Sequence, residues 1–469
     1  MGHTQQEESY NLPRIILLSL TAALGGFLFG FDSGVINGTV EALQVSFNSD
    51  AVGTGFNVAS MLLGCAAGAF FAGTLADKFG RKPVLLITAA MFILSAWGSG
   101  IAASSPQFVF FRIIGGLAVG AASILTPAYI SEIAPSAIRG RLATLQQLMI
   151  VVGLFMAFLS NYLIAGAAGG ALGTFWAGFQ GWQWMFWVEI LPASLFLGGL
   201  LFIPESPRYL VAVGKEEQAA SVLSGLGNNR FTEKVAEIKH SLRRDEKPGL
   251  SALVSKRGGL HPVVWVGIGL AVLQQFTGIN VVFYYGSTLW QAAGFTEENA
   301  LLQNVISGTV NVSFTFLAIM LIDKVGRKPL LMLGALGQAV MLGALALLFG
   351  TGELSPDGNL LLSDTNGVLA LISANAYIAF FAFTWGPIMW VMLGEMFPNR
   401  IRGAALGLCG LIHWTSNFSI TMTFPILLAG LGLSVSYGIY AFFGFVAYFF
   451  VKNLLQETKG RSLEDMDEG

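Results

Sequence analysis

The sequence predicts an all-α membrane protein of about twelve transmembrane helices, arranged as two bundles of six. Three observations predict it. The 469 residues are 54% hydrophobic and only 11% charged, against about 25% charged in a soluble domain. Apolar stretches of ~20 residues, the length that crosses a hydrocarbon core, recur from end to end. The stretch Asp77-Lys-Phe-Gly-Arg-Lys-Pro83 also returns as Asp323-Lys-Val-Gly-Arg-Lys-Pro329 with one mismatch. A repeat at half the chain length, flanked by apolar runs, marks duplicated helical bundles.

Taken in order, residues 1–12 are polar and read as an N-terminal tail. Spans are expected over roughly 13–37, 52–76, 83–104, 107–132, 141–165 and 182–203, then 262–289, 301–322, 329–350, 367–396, 402–429 and 432–453. The first run lacks an Ala-x-Ala site and reads as a retained helix rather than a signal peptide. The two bundles are thus 13–203 and 261–453, with a tail at 454–469. Between them, 204–260 is dense in charge, and Pro204 and Pro207 make a sharp stop to the sixth span. Val235, Ile238 and Leu242 recur at helical spacing there, predicting a short amphipathic helix beside the membrane. Loops after the odd-numbered spans contain no Lys or Arg. The alternate loops carry Lys78, Arg81, Lys82, Arg139, Arg141, Lys324, Arg327, Lys328, Arg400 and Arg402. The positive-inside rule then puts both termini in the cytoplasm, and the expected location is the plasma (inner) membrane.

The 58 glycines are scattered through the apolar runs, as close helix packing in lipid requires. Cys65 and Cys409 fall within spans and read as buried small hydrophobes. The net charge of −2 points to no partner, and with no basic face in the sequence no nucleic-acid partner is expected. No nucleophile–base pair and no metal spacing is present, so no enzyme is expected, and no cofactor. The expected partners are the lipid bilayer and a small molecule, and the expected state is a monomer.

Three charged residues fall well inside spans, away from their very ends. Asp32 lies toward the end of the first, Arg112 toward the start of the fourth, and Glu189 toward the start of the sixth. At 1.5 Å per residue all three come to a similar depth, on the order of 8–10 Å below the outer surface. A charge near mid-membrane costs at least ~2.5–3.5 kcal/mol. Three at one depth are tolerated if they meet, so Asp32 and Arg112 are expected to pair with Glu189 nearby. A carboxylate that holds Arg when ionised and releases it when protonated is a proton switch; a permanent pair that fixes helix packing is the structural alternative. Gly26, Gly30, Gly34 and Gly38 leave one face of the first helix bare, and Gly116 and Gly120 repeat the spacing in the fourth.

A second set is polar and uncharged: Gln147, Gln274, Gln275, Asn280, Asn311 and Asn417. Phe29, Phe283, Tyr284, Tyr285, Trp385, Trp390 and Trp414 accompany them. Amides supply donor and acceptor together, which suits hydroxyl groups, and aromatic faces suit the C–H faces of a pyranose. A neutral sugar fits these groups better than an ion does. Each amide alone is as readily interhelical glue. Their concentration in the seventh span beside Gly278, where a helix can break, favours a site. His413 reads as a packing residue at the edge of this set. Asn37-Gly-Thr39 is a glycosylation sequon on the expected outer side.

With these residues in view, the chain resembles the sugar porters of the major facilitator superfamily over nearly its whole length. The resemblance rests on the two Asp-Lys-x-Gly-Arg-Lys loops, Pro204-Glu-Ser-Pro-Arg208, Gln274-Gln-Phe-Thr-Gly-Ile-Asn280, Gly386-Pro-Ile-Met-Trp390 and Glu457-Thr-Lys-Gly-Arg461. Bacterial proton-coupled members, such as the xylose–proton symporter, are most similar. The resemblance implies that Asp32 couples to the proton with Arg112 as its partner, and that Glu189 matches an acidic residue of the xylose symporter. It maps sugar ligands onto Gln147, Gln274, Gln275, Asn280, Asn311, Trp390 and Asn417, with Phe29 and Trp414 lining the pocket. Asp77, Arg81, Glu132, Arg139 and Arg141, with Asp323, Arg327, Glu395 and Arg402, match a cytoplasmic latch. In two departures, His413 replaces an amide of close relatives and Ala382 stands where animal facilitators carry Glu. The expectation is proton-coupled uptake of an aldose, glucose first. The alternatives are a proton-independent facilitator and, remotely, a sugar sensor, although the tail is short for signalling.

Overall fold

The structure, a computed structural model, describes residues 10–459 apart from 136–137, 245–249, 255–257, 355–359 and 399. Helices α1 (Leu12–Val35), α2 (Val40–Phe47), α3 (Ala51–Phe79), α4 (Arg81–Ile101), α5 (Ser105–Ile133), α6 (Arg139–Ala168), α7 (Gly181–Trp187) and α8 (Ile190–Phe202) make the first half. Three short helices follow: α9 (Pro207–Ala212), α10 (Glu216–Gly225) and α11 (Phe231–Arg244). The second half contains α12 (Pro262–Phe276), α13 (Ile279–Ala292), α14 (Glu297–Val325), α15 (Arg327–Gly350), α16 (Asp364–Ala382), α17 (Trp385–Met396) and α18 (Arg402–Leu454). The only strands among the described residues, β1 (Glu353–Leu354) and β2 (Leu360–Leu361), form a small antiparallel hairpin between α15 and α16.

Twelve crossings result, as the apolar runs predict, but several are not single helices. The 53 residues of α18 hold the last two crossings, which turn at Gly432 with φ +74°. The sixth crossing is α7 and α8, interrupted at Val188 and Glu189; the seventh is α12 and α13, interrupted at Gly278; the tenth is α16 and α17, interrupted at Phe383 and Thr384. The break at Gly278 follows from its left-handed backbone (φ +81°), which an L side chain resists. A continuous tenth span over 367–396 was the expectation. The Thr384 hydroxyl turns back onto the Phe380 carbonyl just before α17 restarts, a contact that periodicity does not encode. Polar side chains cap the starts of some crossings. The Asp50 carboxylate accepts from Gly53 N at 2.7 Å, and the Thr296 hydroxyl accepts from Asn299 N at 3.3 Å.

Within the halves, helices approach to backbone contact. A Cβ on Gly30 of α1 would stand 1.8 Å from the Ile150 carbonyl of α6, and one on Gly116 of α5 would stand 1.9 Å from the Met61 carbonyl of α3. The predicted glycine faces therefore seat α1 on α6 and α5 on α3. Large apolar side chains cover the outside, Phe202 at 87% exposure among them; a surface of that kind belongs in lipid. Cys65 and Cys409 are buried free thiols.

The halves meet along two seams, α3 with α18 and α6 with α14. Helices α9 to α11 sit on the first half around a small apolar core of Leu210, Val211, Ala219, Leu223 and Val235, whereas Leu253 joins the apolar core of the second half. Asn11 N donates to the Leu226 carbonyl at 2.8 Å, Arg14 Nη1 donates to the Gly225 carbonyl at 2.8 Å, and Tyr209 OH donates to the Lys78 carbonyl at 3.3 Å. The predicted amphipathic helix is α11, and it has two companions.

Candidate transport site

Asp32 lies near the end of α1, Arg112 in the second turn of α5, and Glu189 in the break between α7 and α8; each is 1% exposed. Arg112 donates Nη1 to the Asp32 carboxylate, and its Nη2 reaches the Asp32 carbonyl at 3.2 Å and Met61 Sδ at 2.8 Å. The guanidinium lies 5.6 Å from the centre of the Phe186 ring, so one face has an aromatic partner. Glu189 is within electrostatic reach of both. Asp32 and Arg112 do pair, and Glu189 lies near them without a described hydrogen bond to either. Their satisfaction is incomplete. Asp32 Oδ2, Arg112 Nε and Glu189 Oε2 lack a hydrogen-bond partner among the described residues, as does Ser95 Oγ. Gly115 makes room for the carboxylate, since a Cβ there would stand 3.0 Å from Asp32 Oδ2 and 2.4 Å from Ser95 Oγ. Buried acceptors left open are costly to keep.

The amides gather in the second half. Gln274 Nε2 donates to the Trp385 carbonyl at 2.7 Å, across from one helix break to another. That bond orients the amide and turns Oε1 toward Gln275 Nε2 at 3.2 Å and His413 Nε2 at 2.8 Å. Asn280 Nδ2 donates to Gln275 Oε1 at 2.5 Å. Asn417 Nδ2 donates to Tyr284 OH at 3.3 Å and its Oδ1 accepts from Thr421 at 3.0 Å. His413 stands edge-on between Trp390 at 4.9 Å and Trp414 at 5.4 Å. Phe29 of the first half meets Trp414 at 5.6 Å, so the aromatic wall spans both halves. Trp390, 39% exposed, is the open side of the cluster. Asn311 is buried in α14. Gln147 is half-buried, whereas its neighbour Gln146 is buried against Gly26 with neither amide atom partnered among the described residues.

Tyr284 lies between the two clusters. Its hydroxyl holds Asn417, and its ring borders the same narrow gap as Ser33, Met61 and Arg112. Sequence reasoning noted Tyr284 only as an accompanying aromatic, and Trp385 the same way; neither a hydroxyl bridge nor a carbonyl acceptor has a compositional signal.

The basic loops form two matching clusters on one face. Arg81 lies bidentate on Glu132 at 3.1 and 3.0 Å and also reaches Asp77 at 3.3 Å. Arg327 lies bidentate on Glu395 at 3.0 and 2.8 Å. Glu205 accepts from Arg81 N at 2.9 Å, and Glu457 accepts from Arg327 N at 3.0 Å. The bonds described for each cluster lie within its own half. Arg402 turns to the Phe397 carbonyl, with Nη2 at 2.9 Å. The side chains of Arg139, Arg141 and Asp323 lie outside the described residues. Burial works against the charge of Glu457, but main-chain N–H groups of Lys459, Arg327, Lys328 and Thr458 outweigh it and hold its carboxyl below the ordinary carboxylate value.

Two six-crossing bundles, broken helices at the centre and buried polar clusters between them define a membrane transporter of the major facilitator type. A family model described as "Sugar (and other) transporter" matches residues 18–469, and the chain belongs to that family, the sugar porters. It is similar to the glucose transport protein of Synechocystis sp., with 48% identity over 98% of this chain and 98% of the relative. It is also similar to the D-xylose-proton symporter of Escherichia coli K12, with 40% identity over 98% and 96%. Among solved structures it is similar to the partially occluded inward-open xylose transporter of E. coli, with TM-score 0.82 and 38% identity over 96% of this chain and 99% of that one. The proton:xylose symporter bound to 6-bromo-6-deoxy-D-glucose matches with TM-score 0.79 and 39% identity over 98% and 99%. These are transporters and not enzymes.

Proposed function

We propose that this protein carries a monosaccharide, glucose or a related aldose, into the cell by proton symport. The observation that carries the reading is the Asp32–Arg112 pair, buried and with one carboxylate oxygen unpartnered among the described residues, with Tyr284, which holds Asn417, lining the same gap as Arg112. Asp32 takes the proton, its neutralisation frees Arg112, and Glu189 tunes the exchange. Gln274, Gln275, Asn280 and Asn417 hold sugar hydroxyls with Gln147 and Asn311, and Trp390, Trp414 and Phe29 bracket the ring. The similarity to a glucose transport protein and to a D-xylose-proton symporter supports this assignment.

The face bearing the basic clusters is cytoplasmic in this reading, with both termini on it. The structure is then the inward-facing state. Described bonds between the halves lie toward the other face, where Asn37 reaches Phe283 and Ala171 N donates to Glu297 at 2.8 Å. Toward the basic face, a Cβ added at Gly394, Gly403, Gly407 or Gly410 would meet nothing within 4 Å. Rocking of one half on the other exposes the site alternately, and in the outward state the Arg81 and Arg327 clusters, with Arg139, Arg141, Asp323 and Arg402, draw together as a latch. One proton moving through ~100 mV contributes ~2.3 kcal/mol, enough for roughly fifty-fold accumulation at ~1.4 kcal/mol per tenfold.

Uptake of labelled sugars into proteoliposomes, with and without an imposed proton gradient, tests this. Accumulation above the outside concentration with the gradient is expected. Uptake that only equilibrates, with no change in external pH, selects a facilitator instead.

A further inference from the structure

Asn37 reads in the sequence as a glycosylation acceptor, yet it is 1% exposed and lies between the halves. From the end of α1 it reaches α13. Its Nδ2 donates to the Phe283 carbonyl at 2.8 Å, and its Oδ1 accepts from the Ser287 amide at 3.2 Å. Those main-chain groups are four residues apart, the pair that a regular α-helix joins to each other. Between them the backbone leaves helical geometry, with Tyr285 at φ −113° and ψ 15°. A side chain inserted into the i to i−4 ladder is a known origin of such kinks. Asn304 of α14 completes the arrangement by donating Nδ2 to Asn37 Oδ1 at 2.7 Å. Gly286 leaves the room for it. A Cβ there would stand 2.3 Å from Asn304 Oδ1 and 2.8 Å from Asn37 Nδ2.

We propose that Asn37 is a gating residue whose amide takes the place of the Ser287-to-Phe283 rung of α13 while the outer ends of the halves are together, and yields to that rung when they part. Peptide groups without partners are costly inside a bilayer. Trading one partner for another lets α13 bend and straighten with none left over, so Asn37 sets how strongly the closed outer end is preferred. This rests on the alternating-access reading above but not on which sugar or ion is carried.

The test uses two reporter cysteines in full-length protein lacking Cys65 and Cys409. Ser307→Cys lies one turn beyond Asn304 in α14 and is 4% exposed here. Gly394→Cys lies one turn beyond Trp390, where an added side chain meets nothing within 4 Å. Labelling by an impermeant maleimide is timed from each side of oriented vesicles, without sugar or gradient. Asn37→Ala is expected to raise the outer rate at 307 by about tenfold, the scale of one lost buried hydrogen bond, and to lower the inner rate at 394. Asn37→Ser, which is too short to hold both main-chain groups, is expected to shift both rates the same way and carries the test if the alanine variant does not assemble. Rates that rise on both sides mean loosened packing and overturn the proposal; so do rates unchanged on both. Neither readout involves uptake, so failure here leaves the symport assignment standing, and loss of that assignment does not touch this result.

Discussion

Arg81 and Arg327 do the same work in the two halves. Each opens a helix after a glycine of positive φ, lies bidentate on a glutamate, and has its main-chain N–H taken by a second glutamate, Glu205 or Glu457. At mid-depth the likeness ends. Asp32 precedes Gly80 by the same 48 residues by which Gly278 precedes Gly326, and Arg112 precedes Glu132 by the same 20 by which Asn375 precedes Glu395. Glu189 precedes Glu205 by the same 16 that separate Ala441 from Glu457. Where the first half holds aspartate, arginine and glutamate, the second holds a helix break, an amide and an alanine. One scaffold thus bears a charged centre on one side and a neutral, hydrogen-bonding centre on the other. In our reading the first binds the proton and the second the sugar. Duplication supplied the frame, and divergence at a few mid-depth positions divided the labour.

The largest effect should come from the charged centre. Asp32→Asn is expected to abolish uphill accumulation, a loss of roughly fifty-fold, while sugar exchange across equal concentrations continues. A variant that still concentrates sugar would move coupling elsewhere. Next comes the neutral centre. Gln274→Ala should weaken apparent sugar affinity about tenfold or more, since it removes an amide anchored on Trp385 and releases Gln275 and His413 together. What the variant does carry should still be driven by the gradient, and an unchanged affinity in binding assays would take Gln274 out of the pocket. Smaller still, Glu132→Gln and Glu395→Gln should each lower the thermal midpoint by a similar few degrees, from roughly 1–3 kcal/mol of charge-assisted bonding. Strongly unequal shifts would break the equivalence of the two clusters. The smallest effect concerns Glu457. Its carboxyl is held below the usual value, so its contribution is complete above the ordinary carboxylate pKa of about 4.3 and fades as pH falls through the native value. Thermal unfolding of wild type should therefore drop more steeply below about pH 4 than that of Glu457→Gln; parallel curves would argue against it.

The Asp32–Arg112 pairing was legible because helix rise is fixed. Counting residues from the span ends predicts both, with Glu189, on one level, and the structure pairs Asp32 with Arg112. The glycine faces were legible for a related reason, since a bare stripe needs a close neighbour. Other features depend on partners that a linear pattern does not reveal. Gln274 gains its role from the Trp385 carbonyl, 111 residues away, and Asn37 from main-chain groups of α13. The interruption at Gly278 is announced by its glycine, and those at Val188–Glu189 and Phe383–Thr384 by Pro192 and Pro387, which have no N–H to return to the carbonyl four residues earlier. Glu205 and Glu457 were visible inside their motifs, but only the folded chain places each over the start of a helix that precedes it by more than a hundred residues.

The short helices between the halves have a practical corollary. Since Tyr10, Asn11 and Arg14 clasp Leu226 and its neighbours, α9 to α11 are fastened to the first bundle. A gene severed after the codon for Arg244 and coexpressed as two pieces should therefore yield fragments whose natural seam is already respected. The same seam is the place to insert a fluorescent reporter of bundle motion, because the inserted domain would ride on one body and leave the other free to swing.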